Sequence, residues 1–144
     1  MFRNHRGTTL YELLLVLSLL GVFASLAAPA LRSTLDALTV RAAREAAFAL
    51  FARARVLALQ HGGAQIELHA ATDRLLVKTP ADSIVHELDL RPQHVDLVLE
   101  GSDPVVLRYD AYGLGRMMSR TITLQAGSRQ AGLTISTFGR LRRW

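Results

Sequence analysis

The chain has 144 residues, half of them apolar, with a net charge of +5 and no cysteine. That length suits one small domain plus an appendage, and the lack of cysteine excludes disulfide frameworks, cysteine-bound zinc and thiol catalysis. Of the 17 basic residues only Lys78 is a lysine, so the basic character is carried by arginine.

Arg3 and Arg6 precede Gly7, and the 19 residues from Leu13 to Leu31 carry no charge, which reaches the length of a membrane span. A buried core helix is the alternative, but so small a chain could hardly enclose so uniform a segment. A secretory signal peptide fits poorly. Ala28-Pro29-Ala30 is a weak cleavage site, and helical periodicity continues directly beyond it. Arg3 and Arg6 place the N-terminus on the cytoplasmic side and the remainder outside. Glu12 is the anomaly, because an ionised carboxylate at depth in a bilayer costs about 2.5–3.5 kcal/mol and therefore calls for a partner.

Gly7, Thr8, Thr9, Leu10, Tyr11 and Glu12, followed by the apolar run, resemble the class III signal of type IV pilins and type II secretion pseudopilins. The resemblance implies cleavage by a prepilin peptidase between Gly7 and Thr8, N-methylation of Thr8, and retention of the apolar helix on the mature protein. It also implies that Glu12 compensates the N-terminal amine of a neighbouring subunit during assembly. Truncating one member of such a buried pair would leave a lone charge. Gly21 and Pro29 match positions between which the family's filaments lose regular helix, as a glycine and a proline permit. Thr8 departs from the phenylalanine usual in the family at the first mature position.

Beyond Pro29 the helix becomes amphipathic. Val40, Ala43, Ala47, Leu50, Ala54 and Leu57 recur at steps of three and four, while Arg41, Arg44 and Glu45 lie off that seam. His61-Gly62-Gly63 ends the pattern. Thr8 to Gln60 thus reads as one long helix, bent or broken at Pro29, whose alanine-rich seam suits close packing on a sheet.

From Ala64 onward short apolar or alternating runs predict antiparallel strands at Gln65–His69, Leu75–Lys78, Ile84–Leu88, Val95–Leu99, Val105–Tyr109, Thr121–Gln125 and Leu133–Thr137. Gly127-Ser128 predicts a hairpin between two of them. The expected fold class is α+β and pilin-like: a long N-terminal helix, half transmembrane and half amphipathic, on a small antiparallel sheet domain. The expected organisation is a leader at 1–7, a transmembrane and assembly helix at 8–31, an amphipathic helix at 32–61 and a β-rich part at 62–144.

Charge is uneven. Residues 62–104 carry three cations against eight acids, whereas 105–144 carry seven arginines against Asp110 alone. Such asymmetry fits either an acidic or nucleic-acid partner, or an ordinary solvated surface. The ending LTISTFGRLRRW, preceded by VVLRYDAYGLGR and TITL, resembles the last strand and Gly-Arg-x-Arg ending of the GspH/FimT family of minor pilins and pseudopilins. In FimT-type pilins that ending is associated with DNA uptake in natural transformation. By position Gly139, Arg140, Arg142 and Arg143 correspond, with Arg129 nearby. Arginine suits the task because its planar fork grips phosphate bidentately. Phe138 and Trp144 flank the cluster, placed to stack on bases of a single strand. The alternatives are that Phe138 belongs to the core and that Trp144 is tucked against the sheet.

No enzyme is expected. His5, His61, His69, His86 and His94 are dispersed without zinc-ligand spacing. Ser128 and Ser136 lie in no nucleophile elbow, and Gly113-Leu114-Gly115 opens no phosphate-binding helix. Neither metal nor cofactor is expected. The partners implied are other pilin or pseudopilin subunits through the N-terminal helix, prepilin peptidase, the inner membrane before assembly, and DNA. Two functions follow: a minor type IV pilin near a filament tip, or an H-type pseudopilin of type II secretion whose basic edge meets subunits or cargo. A third is an unrelated single-span protein with an extracytoplasmic domain.

Overall fold

The structure, a computed structural model, describes residues 9–116 and 119–144. One α-helix, α1 (Leu10–His61), is followed by eight strands: β1 (Gly63–His69), β2 (Arg74–Lys78), β3 (Ile84–Asp89), β4 (Asp96–Leu99), β5 (Val105–Asp110), β6 (Arg120–Ala126), β7 (Arg129–Ile135) and β8 (Leu141–Arg143). Two compact units are present, one ending at Thr34 and the other spanning Leu35–Trp144, so the division falls inside the helix.

The first unit is uniformly apolar and exposed over Leu13–Leu31, and α1 is long and apolar enough there to cross a membrane. Its start carries a capping arrangement not anticipated from the residues. The Glu12 amide donates to the Thr9 hydroxyl at 3.3 Å, and the Leu13 amide to the Thr9 carbonyl at 3.1 Å. Thr9-x-x-Glu12 is the spacing of a capping box. The helix is continuous through Gly21 and Pro29 in the isolated chain, so of the expected bend or break the break is absent here. Proline removes one backbone donor and crowds the carbonyl four residues earlier, yet Pro29 lies within the continuous helix.

In the second unit the seam foreseen on α1 is the face that is buried: Val40, Ala43, Ala47, Leu50, Ala54 and Leu57, joined by Phe51 and Ala58. Alanine at four of these positions lets the helix backbone approach the strands closely. Where one small sheet was expected there are two, both antiparallel, ordered β3-β2-β1-β5 and β4-β6-β7-β8. Their inward residues, among them Ile66, Leu68, Leu75, Leu107, Ile122, Leu124, Leu133 and Ile135, form one continuous core with the helix seam. Each such side chain contributes about 1.5–3 kcal/mol through burial. Among the described residues no charged or polar side chain enters that core.

All seven expected strands occur, with shifted ends. The largest shift is in β7, which occupies Arg129–Ile135 rather than Leu133–Thr137. The Gly127-Ser128 hairpin, with Gly127 at φ +55°, lets pairing restart at once. An eighth strand, β8, was missed because its Leu-Arg-Arg sequence lacks an apolar alternation. It is an edge strand, where arginine is tolerated because one side faces solvent.

The two sheets differ in their outer faces. On the first, ions pair across strands, Lys78 with Glu67 at 2.9 Å and Arg74 with Glu87 and Asp89 at 3.2 and 3.4 Å, and Lys78 also pairs with Asp82 in the following turn at 3.0 Å. All three cations of the segment 62–104 are therefore paired within it, and its eight acids leave it net negative. On the second sheet the outward row of β6 and β7 is Thr121, Thr123, Gln125, Gln130 and Thr134, hydroxyls and amides without charge.

Candidate functional site

The arginine-rich ending is organised by a tight turn between β7 and β8. The Gly139 amide donates to the Ser136 carbonyl at 2.8 Å, and the Ser136 amide to the Arg140 carbonyl at 2.9 Å. The Arg140 amide donates to the Ser136 hydroxyl at 3.0 Å. Gly139 sits at φ +80°, and a Cβ there would meet the Tyr109 ring at 2.8 Å and the Gly115 amide nitrogen at 3.1 Å. Gly139, grouped by resemblance with the DNA contacts, is buried. It shapes the turn and presents no surface of its own.

A second loop buttresses the first. The Asp110 carboxylate accepts the amides of Tyr112 and Leu114 at 3.0 and 2.9 Å, and Arg116 pairs with it at 3.4 Å. These contacts, led by the Leu114 amide, hold the Asp110 carboxyl below its ordinary range. The loop is thereby fixed so that the Gly115 amide donates to the Phe138 carbonyl at 3.1 Å. Tyr109 lies beneath, and its burial pushes the phenol up to about 12.

The candidate arginines are not equivalent. Arg143 projects toward α1, where its guanidinium lies 3.9 Å from the centroid of the Phe48 ring and 3.4 Å from the Glu45 carboxylate. Glu45 also holds Arg44 at 3.1 Å, and Arg44 donates to the Trp144 carbonyl at 3.2 Å. Strand alternation turns Arg142 to the other face, beside Thr134. Arg142 and Arg140 are exposed and form no ion pair among the described residues. Arg129, at the start of β7, borders a cleft with Arg41, Arg44 and Trp144.

The two aromatic residues also separate. Phe138 is 75% exposed at the tip of the turn, so the core reading of that residue does not hold. Trp144 extends the β7–β8 ladder, exchanging both backbone hydrogen bonds with Gly132 at 3.1 Å. Its indole lies over Gly132 so closely that a Cβ there would collide with it. It is thus tucked against the sheet, with half its surface exposed.

Glu12 is exposed on the first unit. Gly7 and Thr8, the expected cleavage and methylation positions, lie outside the described residues. Among the described residues no group of acids and histidines is assembled to hold a metal ion.

No family model matches the chain, and no curated protein sequence matches it significantly. Two solved structures are similar to it. One is the type IV minor pilin FimU of Pseudomonas aeruginosa, with a TM-score of 0.60 at 19% identity over 73% of this chain and 87% of that one. The other is the minor pseudopilin EpsH of the type 2 secretion system of Vibrio cholerae, with a TM-score of 0.50 at 16% identity over 69% and 93%. At such identities the likeness is one of architecture. The chain shares with these two proteins the pilin-like α+β fold, a long N-terminal helix packed on antiparallel sheet.

Proposed function

We propose that the chain is a minor subunit of a type IV pilus-like filament. In this reading it resides in the bacterial inner membrane as a single-pass protein, with its C-terminal domain in the periplasm or outside. It is cleaved after Gly7 by prepilin peptidase, methylated at Thr8 and then assembled at or near a filament tip, with Glu12 meeting the amine of a neighbouring subunit. The observation that carries it is the conjunction of a pilin-like fold with Gly7, Glu12 and an uncharged exposed helix on one chain. The role is structural and not enzymatic.

The finer part of the proposal is that Arg140 and Arg142, with Arg129 at the opposite end of β7, touch DNA phosphates without reading sequence, as a subunit serving DNA uptake would. Few contacts make the binding modest and salt-sensitive, which several copies in one filament would offset. Fluorescence anisotropy on the full chain in detergent, at low and physiological salt, tests this. Binding that weakens with salt and collapses in an Arg140→Ala, Arg142→Ala double variant supports it. No binding at low salt removes it.

One observation favours the second reading, an H-type pseudopilin of type II secretion. Glu45 pairs with both Arg44 and Arg143, so the cluster presents fewer open charges than its composition suggests. A basic edge of that size also suits a contact with another subunit or with secreted cargo.

A further inference from the structure

Between α1 and the turn that joins β7 to β8 runs a groove of about 470 Å³. Phe48, Phe51 and Leu141 line its floor, Phe138 stands at its mouth, and Arg55 and Arg140 face it from the helix and the turn. No acid lines it. Arg55 was not among the residues expected to matter. It is exposed and forms no ion pair among the described residues, and its side chain lies along Gly113. A Cβ at Gly113 would meet the Arg55 Cγ at 3.0 Å and Nε at 3.3 Å. The Asp110 loop that braces the turn therefore also aligns this arginine.

We infer that the groove is a nucleotide subsite selective for single-stranded nucleic acid, in which one base stacks on Phe138 while the flanking phosphates reach Arg55 and Arg140. The inference rests on the nucleic-acid reading above and extends it to a helix residue and to the choice of strand form. Three features point to this occupant. Both cations lack an internal counter-charge, whereas Arg44 and Arg143, on the neighbouring surface, share Glu45. An aromatic ring stands in solvent on a turn held by hydrogen bonds, with Tyr109 beneath Gly139. The volume falls within the range of small-ligand sites. Paired bases in a duplex hide their faces from such a ring, whereas unstacked bases offer them to it in any sequence.

The test uses the full chain in detergent with three fluorescent probes: an oligothymidylate, an abasic strand with the same number of phosphates, and a duplex of matching length. The oligothymidylate should bind about 5- to 150-fold more tightly than the abasic strand, the range for one stacked base. Phe138→Ala should erase that advantage, Phe138→Tyr should keep it, and Arg55→Gln should weaken the oligothymidylate more than the duplex. Both side chains are exposed, so unchanged thermal melting will accompany these effects. Equal binding of the thymidylate and abasic strands, with Phe138→Ala inert, overturns the subsite and leaves phosphate contact standing. Failure of all three probes to bind at low salt overturns the nucleic-acid reading itself. Variants that spare strand binding but block incorporation into filaments assign the groove to a neighbouring subunit and also overturn the inference.

Discussion

Arg143 lies face-on to Phe48, its guanidinium carbon 3.9 Å from the ring centroid, with the Glu45 carboxylate 3.4 Å away. This contact fastens the edge strand β8 to the helix. A partly exposed cation–π contact contributes about 0.5–1 kcal/mol and an exposed ion pair about 0.2–1 kcal/mol. Arg143→Ala should accordingly lower stability by about 1 kcal/mol, a melting-temperature fall of roughly 4–8 °C. Arg142→Ala should leave the melt unchanged, and any DNA affinity should fall more in Arg142→Ala than in Arg143→Ala. The reverse order in a paired melting and anisotropy experiment would reverse the division of labour drawn here.

Gly139 admits no side chain. Its φ of +80° is costly for other residues, and an alanine Cβ would press on the Tyr109 ring. Left-handed backbone costs about 1–2 kcal/mol and overpacking about 1–3 kcal/mol, so Gly139→Ala should destabilise the domain by about 2–5 kcal/mol. Chemical denaturation would measure it. A loss below about 0.5 kcal/mol would mean that the turn has another accessible conformation.

Gly132 provides a built-in optical test, since Trp144 is the single tryptophan. The indole occupies the space a Gly132 side chain would need. Gly132→Ala should displace it into water and shift its emission to longer wavelength, while Gly127→Ala, at the far hairpin, should not. An unchanged spectrum for Gly132→Ala would show that the indole rests elsewhere in solution.

Stability should fall at alkaline pH because of Tyr109. Burial raises its phenol from the ordinary 10 to about 12. Between those values the unfolded chain has lost the proton and the folded chain still holds it, so the folded state loses ground as pH rises. Thermal melts from pH 9 to 12 should show the decline, and Tyr109→Phe should flatten it. At the acidic end Asp89 is held down to about 2, chiefly by its hydrogen bond from Arg91. The stabilisation it contributes is present above the ordinary carboxyl value and disappears as pH falls toward 2. Arg91→Ala should return the Asp89 titration, followed by NMR, toward that ordinary value.

Glu12→Ala should leave cleavage after Gly7 intact and reduce incorporation into filaments. Immunoblots of whole cells and of sheared filaments separate the two effects. Normal incorporation would remove the pairing with a neighbouring amine as the role of that carboxylate.

The helix seam, the seven strands with apolar inward positions and the Gly127-Ser128 hairpin are legible in the residues alone, because burial imposes its period on the chain locally. The uncharged run and the isolated Glu12 are equally plain, since a charge stands out against an apolar background. What required the tertiary structure was every property set by residues far apart in sequence. The strands divide between two sheets because pairing partners are chosen across the whole chain. Three arginines near one another in sequence part company because Glu45 and Phe48, about a hundred residues earlier, capture one of them, and strand alternation turns its neighbour away. Arg55 joins Arg140 only because the loop at Gly113 and the turn at Gly139 pack beside the helix. Charge can be counted along a sequence, but whether a charge is open or matched is decided by which opposite charge folding brings within a few ångströms.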